Sequence, residues 1–315
     1  MNTINILCAT DKNFVPYCGI MLTSLFENNK ENKIIVYLLI DDTVSDKSRE
    51  QFSNLAKLYG QTINLIKVDG SRFEKYPVYN KQWNNSIYYR LLAAELLPDS
   101  VNKIIYLDCD IIVTGDISPM WEINVDKYAI AAVPDIWSPR ASVYERLNLY
   151  NDGMYFNSGS LIFNLRYWRE HHMSDQYMEY LKNNFEKLWF NDQDILNGVL
   201  YNQKLMMPLT YNYQVLFLQK NLHEEFSEDL RNEMSSIKLP LIIHYAASTK
   251  PWMVLYYKMP FLNEWRKYRD ISYWRHTRNL LPKTKMLNWL LKRYLLYPLN
   301  IMNPQEYLTL KNRPL

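Results

Sequence analysis

The sequence predicts an α/β protein built on a mostly parallel sheet flanked by helices. Three observations predict it. Short apolar runs that read as buried strands, INILCAT, KIIVYLLID and TINLIKVD, alternate with segments whose apolar residues recur at helical spacing. An apolar fraction of 48% over 315 residues is ample for a layered core. No stretch approaches the roughly 18 to 20 apolar residues of a membrane span, so these runs belong to a globular interior.

Taken in order, INILCAT is a buried strand ending in polar residues, and FVPYCGIMLTSLFEN is helical and leads to the strand KIIVYLLID. In SDKSREQFSNLAKLYG, Ser45 is placed to cap a helix. Phe52, Leu55, Ala56 and Tyr59 share one face, and Gly60 stands just past the end. TINLIKVD is a third strand. SIYYRLLAAELLP reads as a helix containing Arg90, and NKIIYLDCDIIV as one apolar strand. After Asn157 come FNSGSLIFNLRYW, a long polar helix, the segment FNDQDILNGVL, and the apolar run LPLIIHYAASTKPW. Ligands of such sheets sit outside the carboxyl ends of the strands, which directs attention to the residues after each apolar run.

Composition excludes several classes. The seven glycines form neither a Walker loop nor a G-x-G-x-x-G turn, so phosphate binding falls to side chains or a metal. Cys8, Cys18 and Cys109 lack metal-ligand spacing, and MNTINILCATDK lacks a signal-peptide pattern, pointing to a reducing, cytoplasmic compartment. Residues 249–315 hold 13 Lys/Arg against 3 acids, a surplus of +10 that leaves −7 for the rest of a chain of formal charge +3. A basic tail on an acidic body suggests an anionic partner surface.

Asp108 and Asp110 interrupt the apolar run IIYLDCDIIV. In extended chain, carboxylates at i and i+2 project to one side. Acids at a strand end also simply face water, but burying two like charges without a cation is costly, which favours a shared divalent ion. His244, after LPLII, is a core or capping histidine or the third ligand. Imidazole with carboxylates suits manganese better than calcium. Lys250 can meet a phosphate as a point charge. Asp11, in CATDKNF, reads locally as an Asx turn or helix cap. Asn157, Ser158, Asp192, Gln193 and Asp194 are polar groups beside apolar runs, open to ordinary capping as well as to ligand binding.

In their joint order and spacing, INILCATDKNF, SIYYRL, IIYLDCDIIV, PMWEI, AAVPD, YFNSGSLIFNL, YWRE, NDQDILNGV and IIHYAASTKPW resemble the glycosyltransferase family 8 enzymes over about residues 4–252. These are retaining galactosyl- and glucosyltransferases that extend bacterial lipopolysaccharide, with glycogenin more distant. The resemblance implies a GT-A nucleotide-diphospho-sugar transferase fold over 1–252 and a helical basic and aromatic extension over 253–315. It implies manganese, or magnesium, held by Asp108, Asp110 and His244, and UDP-galactose or UDP-glucose as donor. Ala9, Thr10, Asp11, Asn13 and Phe14 would contact the uridine end and Lys250 the diphosphate, with Cys109, Ser158 and Ala247 also lining the donor site. Arg90, Asp135, Asn157, Asp192 and Gln193 would surround the transferred sugar, Asp135, Asp192 and Gln193 taking the catalytic roles. Ala247 and Ser158 stand where the family often has glycine, and alanine or glycine, respectively.

Retention of configuration follows from double displacement or from front-face substitution. Gln193 is a poor nucleophile, which favours the front-face route. The acceptor implied is a saccharide or a lipid-linked saccharide. TKMLNWLLKRYLL sets Leu287, Leu290, Leu291, Tyr294 and Leu295 near one helical face with Lys285, Lys292 and Arg293 at its margins, the pattern of a helix at an anionic lipid surface. That places the enzyme peripherally at the inner face of the cytoplasmic membrane; the alternative is an extension packed on the catalytic domain. No nucleic-acid-binding module accompanies the charge. A sugar-nucleotide nucleotidyltransferase would carry a glycine-rich basic loop where CATDKNF stands. A non-catalytic carbohydrate-binding protein is the other alternative, and it needs none of Asp108, Asp110, His244 or Lys250.

Overall fold

A computed structural model describes residues 3–76, 85–150, 152, 154–246, 250–253, 259–277 and 291. Ala247 and nearly all of the expected lipid-facing helix lie outside the described residues.

Strands β1 (Thr3–Thr10), β2 (Lys33–Ile40), β3 (Thr62–Lys67), β4 (Lys103–Leu107), β6 (Ile130–Pro134), β7 (Phe156–Asn164) and β8 (Lys204–Met206) form a seven-stranded sheet of order β3-β2-β1-β4-β7-β6-β8. A second sheet orders β5 (Ile111–Val113), β10 (Ile242–His244) and β9 (Tyr213–Gln214) as β5-β10-β9. β1 to β4 run parallel, and β7 is antiparallel to both β4 and β6. Parallel strands need both faces covered, which explains their near-continuous apolar character. β3, at one edge, is half exposed and ends in Lys67, which protects an unpaired edge from further pairing.

Helix α1 (Val15–Glu27) follows β1 and buries Ile20, Met21, Leu25 and Phe26. Helix α2 (Asp46–Tyr59) begins as the sequence predicts: the Ser45 hydroxyl accepts from the Ser48 amide at 3.2 Å, and Gly60 closes the helix at φ 64°. It buries Phe52, Leu55 and Ala56, with Tyr59 half-buried. The expected helix around Arg90 is a 3₁₀ run over Asn85–Leu92 followed by one α turn at Ala93–Leu96. So long a 3₁₀ stretch is uncommon and often marks a functional segment; here Tyr88 through Leu92 are all buried. The long polar helix after β7 is two helices, Leu165–Glu170 and Met173–Asn184, separated by His171 and His172, with His172 at φ 50°.

The expected single strand NKIIYLDCDIIV is a correction. β4 ends at Leu107 in the large sheet, and β5 starts at Ile111 in the small one. Asp108, Cys109 and Asp110 form the turn between them. The apolar residues on both sides are buried as predicted, but in two different sheets, and periodicity cannot register that change of sheet.

The chain runs outward from β1 to β3 and then returns to β4 on the other side of β1. The crevice outside the carboxyl ends of β1 and β4 is therefore a topological switch point, the preferred ligand position in such sheets. Thr10 and Asp11 leave β1 there, and Asp108 leaves β4.

Candidate active site

Five segments converge on this crevice. The turn after β4 supplies Asp108 and Asp110. β10 pairs antiparallel with β5 so that His244 lies opposite Ile111, and the Tyr245 amide donates to the Asp110 carbonyl at 3.0 Å. β7 begins beside the end of β4, with the Asp108 amide donating to the Gly159 carbonyl at 2.8 Å. β6 delivers Asp135 just past its carboxyl end, and the helix Asp192–Leu200 opens with Asp192 and Gln193.

One ligand atom from each of Asp108, Asp110 and His244 lies within 4.8 Å of the others. His244 Nε2 is 3.3 Å from Asp110 Oδ1 and 3.9 Å from Asp108 Oδ2. Its other nitrogen, Nδ1, meets Asn212 Oδ1 at 2.9 Å. A carbonyl oxygen can only accept, so Nδ1 carries a proton toward Asn212, and Nε2 is the nitrogen that faces the carboxylates and would ligate an ion there. Two carboxylates and one imidazole nitrogen aimed at one point are a donor set fit for a hard-to-borderline divalent ion. The acids thus converge through a turn between sheets and not in the extended chain that the sequence predicts.

Gly159 is what lets His244 approach. A Cβ at this position would stand 2.1 Å from His244 Cε1 and 2.9 Å from Asp108 Oδ2.

Cationic side chains balance the acids. The Arg90 guanidinium is buried, donating to Asp108 Oδ1 at 2.7 Å and to the Ser158 carbonyl at 2.8 Å, and lying 3.2 Å from Asp192 Oδ2. It also stacks 4.0 Å from the Tyr106 ring, whose hydroxyl donates to Asp108 at 2.8 Å. Lys250 donates to Asp110 and, at 2.9 Å, to the Tyr245 carbonyl. Burial works against ionising Asp110, but Lys250 and His244 outweigh it and hold the carboxyl well below its usual range. Asp192 goes the other way: burial dominates, Arg90 opposes it and Asp108 reinforces it, leaving the carboxyl at about 6.

Of the residues expected to surround the sugar, Arg90, Asp135, Asn157, Asp192 and Gln193 form one buried network. Asn157 donates to Asp135 Oδ2 at 2.8 Å and accepts from Asn212 and the Gly159 amide, both at 2.9 Å. The Ser158 amide donates to Gln193 Oε1 at 3.0 Å. Burial raises the Asp135 carboxyl, although Asn157 and the Trp137 amide oppose the shift. Asp192 Oδ2 and Arg90 Nε have no hydrogen-bond partner among the described residues.

At the end of β1, Asp11 is an Asx turn: its Oδ1 accepts from the Asn13 and Phe14 amides at 2.8 and 2.9 Å. Burial raises its carboxyl, the two amides opposing. Thr10 donates to the Asp11 carbonyl, and Phe14 packs edge-on against Tyr17 and Trp252, themselves stacked at 3.6 Å. The Cys109 thiol turns inward and donates to the Ala9 carbonyl at 3.1 Å. Sequence reasoning did not find Tyr106 or Asn212. Only a weak signal existed for Asn212, which alternates with apolar Tyr213 in YNYQV as a buried polar group.

The family model described as Glycosyl transferase family 8 matches residues 5–255. The chain belongs to glycosyl transferase family 8. Among curated members, it is 30% identical to a lipopolysaccharide 1,2-glucosyltransferase of Escherichia coli, over 89% of this chain and 79% of that protein. It is 27% identical to general stress protein A of Bacillus subtilis, over 86% of this chain and 94% of that one. Among solved structures, the galactosyltransferase LgtC in complex with donor and acceptor sugar analogs superposes at TM-score 0.77 and 20% identity. That match covers 90% of this chain and 99% of LgtC. The family 8 glycosyltransferase described here thus has the GT-A-like architecture of LgtC, with a mostly parallel sheet flanked by helices.

Proposed function

We propose that this family 8 glycosyltransferase is a metal-dependent, retaining hexosyltransferase that takes galactose or glucose from its UDP-sugar and extends a surface saccharide such as lipopolysaccharide. The observation that carries the reading is the convergence of Asp108, Asp110 and His244 at the switch point, with Lys250 and Arg90 in contact with the two acids. The lipopolysaccharide glucosyl- and galactosyltransferases among its relatives support the choice of hexose and of acceptor.

Asp108, Asp110 and His244 would hold manganese or magnesium, which when bound supplies Lewis-acid stabilisation to a leaving diphosphate. Lys250 adds a fixed positive charge beside Asp110 that favours charge developing on that diphosphate. Arg90 Nε, buried without a hydrogen-bond partner, suits a sugar hydroxyl as donor, and Asp192 Oδ2, which faces Arg90 Nη1 at 3.2 Å, suits one as acceptor. Asp135 is held by Asn157 and the Trp137 amide and can accept from the sugar or from the incoming acceptor. Gln193 is neutral and its oxygen already accepts from Ser158, which favours front-face substitution over a covalent intermediate.

UDP release should require manganese or magnesium, proceed from UDP-galactose or UDP-glucose, and fall by at least about a hundredfold in Asp110→Ala. Release that survives both chelation and that substitution would defeat the assignment.

The same reading places the enzyme at an anionic lipid surface. The helix Leu262–Ile271 and the residues after it expose Arg266, Lys267 and Arg275 beside Ile271 and Tyr273, the latter two 51% and 48% exposed. Sedimentation with anionic liposomes should capture the full chain and lose it when Arg266, Lys267 and Arg275 are changed to Glu. Equal capture of both proteins would remove this segment as an anchor.

A further inference from the structure

Gln193 is 7% exposed, and each hydrogen bond made by its amide has a fixed direction. The Ser158 backbone N–H is a donor only, so the Gln193 atom 3.0 Å away must be oxygen. On the other side Gln193 Nε2 lies 3.1 Å from the Tyr155 hydroxyl. That hydroxyl is committed as a donor to Asp194 Oδ1 at 2.6 Å, because a carboxylate can only accept. Towards Gln193 the hydroxyl must therefore accept, and the atom facing it must be nitrogen. Backbone and tyrosine together impose one amide orientation.

Asp194 makes the Tyr155 constraint rigid. It is fully buried and held by Arg146 at 2.8 and 3.0 Å and by the Trp189 and Phe190 amides at 2.6 and 2.8 Å. No vacant donor role is left for the tyrosine. The oxygen end of Gln193 thus lies on the Ser158 side, and Arg90 bridges the Ser158 carbonyl to Asp108.

We propose that Tyr155 is a positioning residue for glycosyl transfer: through Asp194 it fixes the polarity of the Gln193 amide, holding the NH₂ on Tyr155 and the carbonyl oxygen on the Ser158 side, which Arg90 joins to Asp108. This rests on the transferase reading above. When the bond from the anomeric carbon to the diphosphate breaks, positive charge builds on the sugar ring, as in other glycosyl transfers. A carbonyl dipole presenting its oxygen to that charge stabilises it, and a reversed amide would oppose it. Asp194 specifies this orientation without touching the sugar.

Tyr155→Phe removes only the hydroxyl, and Asp194 keeps Arg146 and two backbone amides, so the fold should persist. The expected result is a kcat lower by about tenfold or more, a donor KM within about twofold of wild type, and an unchanged melting temperature. An unchanged kcat, or a kcat loss matched by loss of donor binding and of folded protein, would overturn the proposal. A second readout needs no turnover. In [¹⁵N]glutamine-labelled protein, the side-chain amide signal missing from Gln193→Glu identifies Gln193, and its hydrogen exchange should quicken by about tenfold or more in Tyr155→Phe. Unchanged exchange would show that Tyr155 does not hold the amide. If wild type releases no UDP from any donor, the transferase reading fails, while the exchange experiment still decides whether Tyr155 fixes Gln193.

Discussion

Asp192 is buried, its Oδ2 faces Arg90 at 3.2 Å without a well-formed hydrogen bond, and its carboxyl pKa is raised to about 6. The sign of its effect on stability follows from that shift. Its folded pKa lies above the ordinary 3.8, so the folded state binds this proton more tightly than the unfolded chain does. Asp192 therefore detracts from stability once ionised, and the penalty grows as pH rises from about 4 to 6. Asp192→Asn should melt higher than wild type at pH 7 to 8, by the equivalent of about 1–3 kcal/mol. The advantage should shrink as pH falls toward 4, and turnover should be largely lost. Melting curves across that range check it; a variant less stable than wild type at pH 8 would show that Arg90 needs this counter-charge more than the site suffers from burying it. In the donor-sugar role proposed for Asp192, stability given up for function is a common trade in enzymes.

At the scale of elements, the site is a product of strand neighbours. β7 passes between β4 and β6 in the large sheet, and His244 on β10 of the small sheet reaches over β7 at Gly159. Only a residue without a Cβ fits there. Gly159→Ala should displace the imidazole and weaken manganese binding by about 10–100-fold, as perturbing a metal ligand's supporting shell typically does. Electron paramagnetic resonance of added manganese measures this, and wild-type affinity would mean that the strand shifts to absorb the methyl group. The helix Asp192–Leu200 is also set from its first turn: Asn191, just before it, adopts φ 44° and ψ −113°, a region rarely populated by non-glycine residues. Its side-chain oxygen accepts from the Tyr88 hydroxyl at 3.2 Å, tying the 3₁₀ run that carries Arg90 to the start of that helix.

Across the whole molecule, the described part of the carboxyl-terminal extension packs into the catalytic core. Trp265, Tyr268 and Trp274 are buried in the same cluster as β1 and α1. Trp274 lies over Gly19 of α1, where a Cβ would come within 2.1 Å of its ring, and tilts against Phe52 of α2 at 5.4 Å. Trp274→Ala should destabilise the protein by about 3–5 kcal/mol, the range for emptying a buried aromatic site. Urea unfolding monitors this, and a loss below about 1 kcal/mol would mean that the segment docks without stabilising the core. Ending the chain near Met253 would strip the core as well as the exposed cations, so lipid attachment is better tested by charge reversal on the intact chain.

The sequence by itself determined the alternating strand and helix pattern, the Ser45 and Gly60 ends of α2 and the Asx turn at Asp11. Each of these rests on local chemistry: apolar period, capping side chains, or residue types at short spacing. Tertiary structure alone decided that Asp108 and Asp110 meet in a turn between two sheets, because an apolar run looks the same whether or not it changes sheet. It also decided that Lys250 and Arg90 contact those acids, that Asn212 orients His244, and that Tyr155 and Asp194 direct Gln193. Those partners lie tens of residues apart or more, and the direction of a hydrogen bond depends on which group stands opposite, which the strand order sets and residue spacing does not.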